Sequence, residues 1–163
     1  MNPTEQCVFD GRTIHLTWVA SSSYPSGTPI SQVSGFCIDD KNHFLLVKNK
    51  REWAFPGGHP EKEESAEETL IREVREEANV SLDSYKLIGY MDVSDPDNDS
   101  VEGKHYIQLR YLAKIGNVNY FEKEFETTER KLVTIDEFSK YITWINSPTG
   151  KGQIDALKNA MKL

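Results

Sequence analysis

Glu73, Glu76 and Glu77 stand at i, i+3 and i+4, a spacing that gathers three carboxylates onto one strip of surface only if the backbone is helical. Like charges held that close repel and raise one another's pKa unless a cation lies among them. A hard divalent ion is the natural complement: it takes oxygen ligands and completes its shell with phosphate oxygens. The chemistry in view is metal-assisted attack on a phosphate or pyrophosphate.

The flanking residues must position that strip. Arg51 to Phe55 leads into Pro56-Gly57-Gly58, where a residue without a ladder donor and two glycines predict that strand pairing stops and a tight loop begins. Ser65 followed by Glu68 is a capping box and predicts a helix over 66–78. On that helix Ala66, Leu70, Val74 and Ala78 form the apolar stripe, and the glutamates occupy the neighbouring strip at the edge of the core. Asn79 suits a left-handed helix end.

Elsewhere, 14–19 reads as a strand and 20–29 as a loop, while 32–39 and 43–48 read as a hairpin about the polar turn 39–42. Residues 85–93 and 105–115 read as a long hairpin around a polar loop, 94–104. A charged connection, 122–130, precedes a short strand, 131–135, and a short helix begun by Asp136. A last helix carries Ile154, Leu157 and Met161 after Gly150 and Gly152. Strands with helices at two separate places predict a mixed sheet covered on both faces.

The 163 residues fit a single domain, 1–163, and carry ordinary globular proportions, 37% hydrophobic and 28% charged. No leader or membrane span is expected. Two cysteines, Cys7 and Cys37, suggest neither a disulfide framework nor a zinc knuckle, which fits a reducing cytoplasm. Residues 61–77 hold eight acids against three bases, −5 of the net −7. An acidic chain with no basic face excludes general binding to a nucleic-acid polymer, whereas a free nucleotide can be held through a metal.

Written out, Gly58, five residues, Glu64, seven residues, then Arg72-Glu73-Val74-Arg75-Glu76-Glu77-Ala78-Asn79-Val80 resembles the signature of the Nudix (MutT-like) hydrolases. Asn79 stands where the signature has Gly, and Glu63 where members often have Gly. Trp53 to Gly58 is similar to the family's entry into the loop, and Leu132 to Phe138 to its late strand and turn. The fold this implies is α+β, an α/β/α sandwich on a Nudix-type mixed sheet. The activity it implies is hydrolysis of a nucleoside diphosphate linked to another group, with Mg2+ or Mn2+ as cofactor.

Carried over by position, the resemblance makes Glu73, Glu76, Glu77 and the Gly57 carbonyl metal ligands. Arg72 becomes the organiser of the glutamates, partnered by Glu64, and Gly58 and Glu64 become structural members of the motif. A base or extra ligand on a later loop is matched by Glu126, with Glu129 second. Glu73, Glu76, Arg72 and Glu126 are thus the candidate catalytic set. A nucleoside triphosphate is favoured as substrate over ADP-ribose or another nucleotide sugar, because no large N-terminal domain is present. Pro96, 16 residues after Val80, is a spacing associated with ADP-ribose hydrolases, although Asp95-Pro96-Asp97-Asn98 is also simply a good turn. A non-catalytic nucleotide-binding module is the rival reading. A homodimer is left open. Trp53 and Phe55 could stack a base, with at least one expected in the core; His59 and His105 are expected to be surface or capping residues.

Overall fold

The computed structural model describes residues 1–50, 52–101, 103–121 and 127–162. Its strands are β1 (Thr4–Phe9), β2 (Arg12–Ala20), β3 (Ile30–Ile38), β4 (Phe44–Asn49), β5 (Glu52–Ala54), β6 (Gly57–Gly58), β7 (Val80–Ser94), β8 (His105–Val118) and β9 (Thr127–Val133). Helix α1 (Ala66–Ala78) falls between β6 and β7. A 3-10 turn (Ile135–Lys140) and α2 (Pro148–Met161) follow β9. Among the described residues no helix is long and apolar enough to cross a membrane.

The strands form one mixed sheet in the order β1-β2-β7-β8-β3-β4-β5, with β6 on β3 and β9 on β4. Every pairing is antiparallel except β3 with β8. Alternation along the strands sends side chains to two cores. Val33, Cys37, Leu45, Val47, Leu109 and Tyr111 pack with Leu70, Val74 and Ala78 of α1. Phe36, Phe44, Leu46, Met91 and Val93 pack with Phe138 and with Leu157 of α2. The sheet is therefore covered by a helix on each face, as the order of elements predicts.

Helix α1 occupies the expected residues because its ends are chemically fixed. Ser65 Oγ accepts from the Glu68 amide at 3.1 Å and Glu68 Oε1 from the Ser65 amide at 3.1 Å. At the other end Asn79 takes φ 53° and ψ 48°, and its amide donates to the Arg75 carbonyl. Its Nδ2 donates to the Tyr120 carbonyl at 2.7 Å, a tie that a glycine at this position could not make. Two further C-terminal carbonyls are satisfied from β9: Thr127 Oγ1 donates to Glu77 O at 2.6 Å, and Arg130 Nη1 to Ala78 O at 2.5 Å.

Three expectations are corrected. Strand pairing does not stop at Pro56: Gly57 and Gly58 pair with Ser34 and Val33 of β3, and the Gly35 amide donates to the Pro56 carbonyl at 3.0 Å. Only glycine permits this approach, since a Cβ on Gly57 would lie 2.4 Å from the Val33 carbonyl oxygen. The later part of the 122–130 connection is strand, because 127–130 pairs with β4. The last helix starts before its glycines, capped by Ser147 Oγ on the Gly150 amide with Pro148 in its first turn. In addition, β1 pairs with β2 along its full length, an N-terminal strand to which the sequence pattern assigns no element.

Glu63 sits at φ 65°, a left-handed conformation that costs a residue with a Cβ more than it costs glycine. Glu63→Gly is expected to raise stability by about 1 kcal/mol, read as an increased urea midpoint at unchanged m.

Candidate active site

The site is organised by one guanidinium. Arg72 Nε donates to Glu64 Oε2 at 2.7 Å and Nη2 to Glu64 Oε1 at 3.0 Å, a two-pronged pair across the loop. Nη1 reaches the other way, to Glu73 Oε1 at 2.8 Å and Glu76 Oε2 at 3.2 Å, with Glu61 Oε1 at 3.7 Å. Nη2 also donates to the His59 carbonyl at 3.1 Å. Thus one side chain ties the loop after Gly58 to two of the three glutamates of the strip.

Glu64 is held by more than Arg72. The Thr69 hydroxyl lies 2.7 Å from its Oε1, and the Glu61 amide donates to the same oxygen at 3.0 Å. Thr69 is fully buried and was not among the expected site residues; its only trace in the sequence is its place one turn before Arg72. These contacts, the Arg72 hydrogen bond foremost, hold the Glu64 carboxyl down at about 2, while Glu64 raises the Arg72 guanidinium in return. Glu73 moves oppositely: burial raises it despite its bond to Arg72.

The depressed Glu64 value fixes a sign. Its stabilising contribution is present above the ordinary value of 4.5 and is lost as pH falls through about 2. The stability gap between the wild type and Glu64→Gln is therefore expected to be full at neutral pH and to close between pH 4.5 and 2 in thermal melts.

The other glutamate is placed by the glycines. The Gly57 amide donates to Glu77 Oε1 at 2.8 Å. Gly58 lies so close to α1 that a Cβ there would be 2.4 Å from Glu73 Oε1. Glu73 and Glu77 thus meet the two-glycine strand, and Glu76 is joined to Glu73 through Arg72. Among the described residues no three acidic, histidine or cysteine side chains surround a common point in metal-ligating geometry; Arg72 and the Gly57 amide engage the carboxylates. The donor set nonetheless fits a hard cation: three carboxylates share one rigid strip, and glycine backbone stands against Glu73 and Glu77.

Other candidates lie apart. Glu126 falls outside the described residues. Glu129 lies on β9 and faces Lys48 at 4.0 Å. Phe55 is core, packed edge-on to Phe36 at 4.6 Å and Phe138 at 5.0 Å. Trp53 meets Tyr141 edge-on at 5.6 Å, flanked by Lys48 and Lys131. His59 Nδ1 donates to the Ser31 carbonyl at 2.9 Å, and His105 bonds Asp92; both are local ties.

The family model described as NUDIX domain matches residues 28–150, which include the two-glycine strand and all of α1. This chain belongs to the Nudix family. Among Nudix relatives, it is 35% identical over 80 residues to YtkD of Bacillus subtilis (strain 168), named for 8-oxo-dGTP diphosphatase activity, covering 48% of this chain and 49% of that one. It is 29% identical over 94 residues to YjhB of the same organism, named for ADP-ribose pyrophosphatase activity, covering 56% and 43%. The matches thus span about half the length of either relative. The fold resembles the crystal structure of the Bacillus subtilis pyrophosphohydrolase BsRppH, with a TM-score of 0.71 at 23% identity over 90% of this chain and 92% of that one. It also resembles the Nudix domain of Shewanella oneidensis NrtR in complex with ADP-ribose, with a TM-score of 0.60 at 14% identity over 83% and 90%. These structural likenesses concern the Nudix fold.

Proposed function

We propose that the chain is a divalent-metal-dependent pyrophosphohydrolase that cleaves a nucleoside diphosphate linked to a further group, by attack of water on phosphorus. A nucleoside triphosphate, cut to monophosphate and pyrophosphate, is the favoured substrate. The observation that carries this reading is Arg72 bridging Glu64 of the loop to Glu73 and Glu76 of α1, with Glu77 on the Gly57 amide.

In this reading Glu73, Glu76, Glu77 and the Gly57 carbonyl would hold the metal, Mg2+ or Mn2+. When bound, such an ion supplies positive charge and Lewis acidity against phosphate oxygens. The protein's part is positional. Arg72 fixes the rotamers of Glu73 and Glu76, so that their orientation is settled before substrate arrives. Glu64, fully ionised at neutral pH, keeps Arg72 in place. Gly58 keeps the space against Glu73 clear of side chain. Proton acceptance from the attacking water is assigned to Glu126 on the later segment.

The likeness to YjhB keeps ADP-ribose as the second substrate. Pro96 adds little to it, because the structure gives the segment a local purpose: the Asn98 amide donates to the Asp95 carbonyl at 3.0 Å, and buried Asp95 pairs with Arg12 at 3.0 Å. The deciding experiment is product analysis by ion chromatography on a panel of nucleoside triphosphates, 8-oxo-dGTP and ADP-ribose at millimolar magnesium. Monophosphate plus pyrophosphate from a triphosphate is expected. Turnover of none of them would leave a nucleotide-binding module.

A further inference from the structure

Arg110 on β8 is buried, 8% exposed, and among the described residues no carboxylate faces it. Its hydrogen-bond partners are all neutral. Nε donates to Gln153 Oε1 of α2 at 3.1 Å, Nη1 to Gln32 Oε1 of β3 at 3.1 Å and the Leu109 carbonyl at 3.3 Å, and Nη2 to Gln108 Oε1 at 3.3 Å. Two other guanidiniums differ: Arg72 has Glu64, Glu73 and Glu76, and Arg12 has Asp95. Burial draws Arg110 down to about 10, with nothing opposing it. Four of its five N–H groups are hydrogen-bonded, but its charge is not balanced, and an unneutralised buried charge is costly to keep. A tie between α2 and the sheet needs no charge; a neutral side chain would serve.

The guanidinium is oriented. Nε points inward to Gln153, which is 1% exposed. The Nη ends point to Gln32 and Gln108, both half-buried, so the charged tip lies beneath a rim open to solvent. Both glutamines turn their carbonyl oxygens to the arginine, which leaves their amide Nε2 groups without a partner among the described residues. The assembly offers donors and positive charge.

In the sheet it lies two strands from the two-glycine strand, on the face that α2 covers. Gln32 follows Ser31, whose carbonyl accepts from His59, and the His59 carbonyl accepts from Arg72. Arg110 is opposite Ser34 across β8 and β3, and Ser34 is opposite Gly57 across β3 and β6. The backbones of Arg110 and Gly57 are therefore two strand spacings apart, about 10 Å.

We propose that Arg110, with the amides of Gln32 and Gln108, binds an oxyanion, and that during turnover this is a phosphate group of the nucleotide remote from the bond being cut. As an anion site it stands on the geometry alone; as a substrate contact it rests on the hydrolase reading above. Free inorganic phosphate shares the chemistry, and the test separates the two sources. The Arg110 Nε–H resonance of the full-length chain, assigned by its loss in Arg110→Gln, is followed by 15N NMR during titration with inorganic phosphate and then with a nucleoside triphosphate.

A saturable shift with phosphate, and at lower concentration with the triphosphate, is expected. In steady-state assays Arg110→Gln is expected to raise KM for the triphosphate by about 10-fold or more, as removal of a charge-assisted contact does, with the change carried in KM rather than kcat. Gln108→Leu at the half-exposed rim moves KM in the same direction and covers the case in which Arg110→Gln fails to fold. No saturable shift with either probe overturns the anion site. A phosphate shift with unaltered KM in both variants overturns the substrate contact and leaves a site for free phosphate. A shift in a wild-type protein that hydrolyses no nucleotide upholds the anion site and sinks the hydrolase reading instead.

Discussion

Glu76→Gln is expected to lower turnover by about 10³-fold or more, equivalent to about 4 kcal/mol of transition-state stabilisation, with the fold unchanged. Glutamine keeps the shape and can still accept from Arg72 Nη1, 3.2 Å away, so the loop and α1 stay joined. What it removes is one of the negative charges that would hold the divalent ion, and with it the charge placed against the phosphate. Glu76 is partly exposed and its contact is the longer of the two that Nη1 makes to the glutamate strip, so the melting temperature should shift little. The check is kcat at saturating magnesium beside a thermal melt. A variant that turns over like the wild type would remove the metal role of this residue, and with it the proposed enzyme.

Arg72→Met is expected to fail differently, in stability as well as activity. The substitution keeps the aliphatic bulk but leaves Glu64, Glu73 and Glu76 without their shared cation, two of them only 12% and 15% exposed in their side chains. Removing one partner of such a network strands the others, a loss of about 2–3 kcal/mol for groups this shielded. Arg72→Lys should recover only part of it, because a single ammonium cannot engage Glu64 with two parallel bonds while reaching Glu73. Millimolar magnesium should raise the melting temperature of Arg72→Met by more than that of the wild type, since a cation then has three unpaired carboxylates to occupy. Equal metal-induced shifts in the two proteins would count against a shared location for the ion and the guanidinium.

Legibility in the sequence followed the range of the interactions concerned. Helix α1 could be bounded from Ser65, Glu68 and Asn79 because capping is decided within four residues. The partnership of Arg72 with Glu64 followed from the resemblance, and the geometry supplied what the motif does not carry, namely the Thr69 hydroxyl and the Glu61 amide on the same carboxylate. What stayed hidden depended on distant neighbours. Gly57-Gly58 reads as a loop until Val33 and Ser34 are brought alongside it. The glycines of α2 read as breakers until Ser147 is seen to cap the turn containing Gly150. Arg110 is marked by nothing in its own strand; its burial is decided by α2, whose Gln153, 43 residues away, lies over it.

The pairing of β3 is divided: it meets β4 at Ile38 with Phe44, and nearer its start takes the two glycines as its neighbour instead. A segment that would otherwise be a mobile flap is thus stitched into the framework, with Arg72 and Glu77 fastening it from the helix side. On the hydrolase reading proposed above, the backbone around the glutamates is thereby held by main-chain pairing, which leaves side chains elsewhere free to change without loosening it.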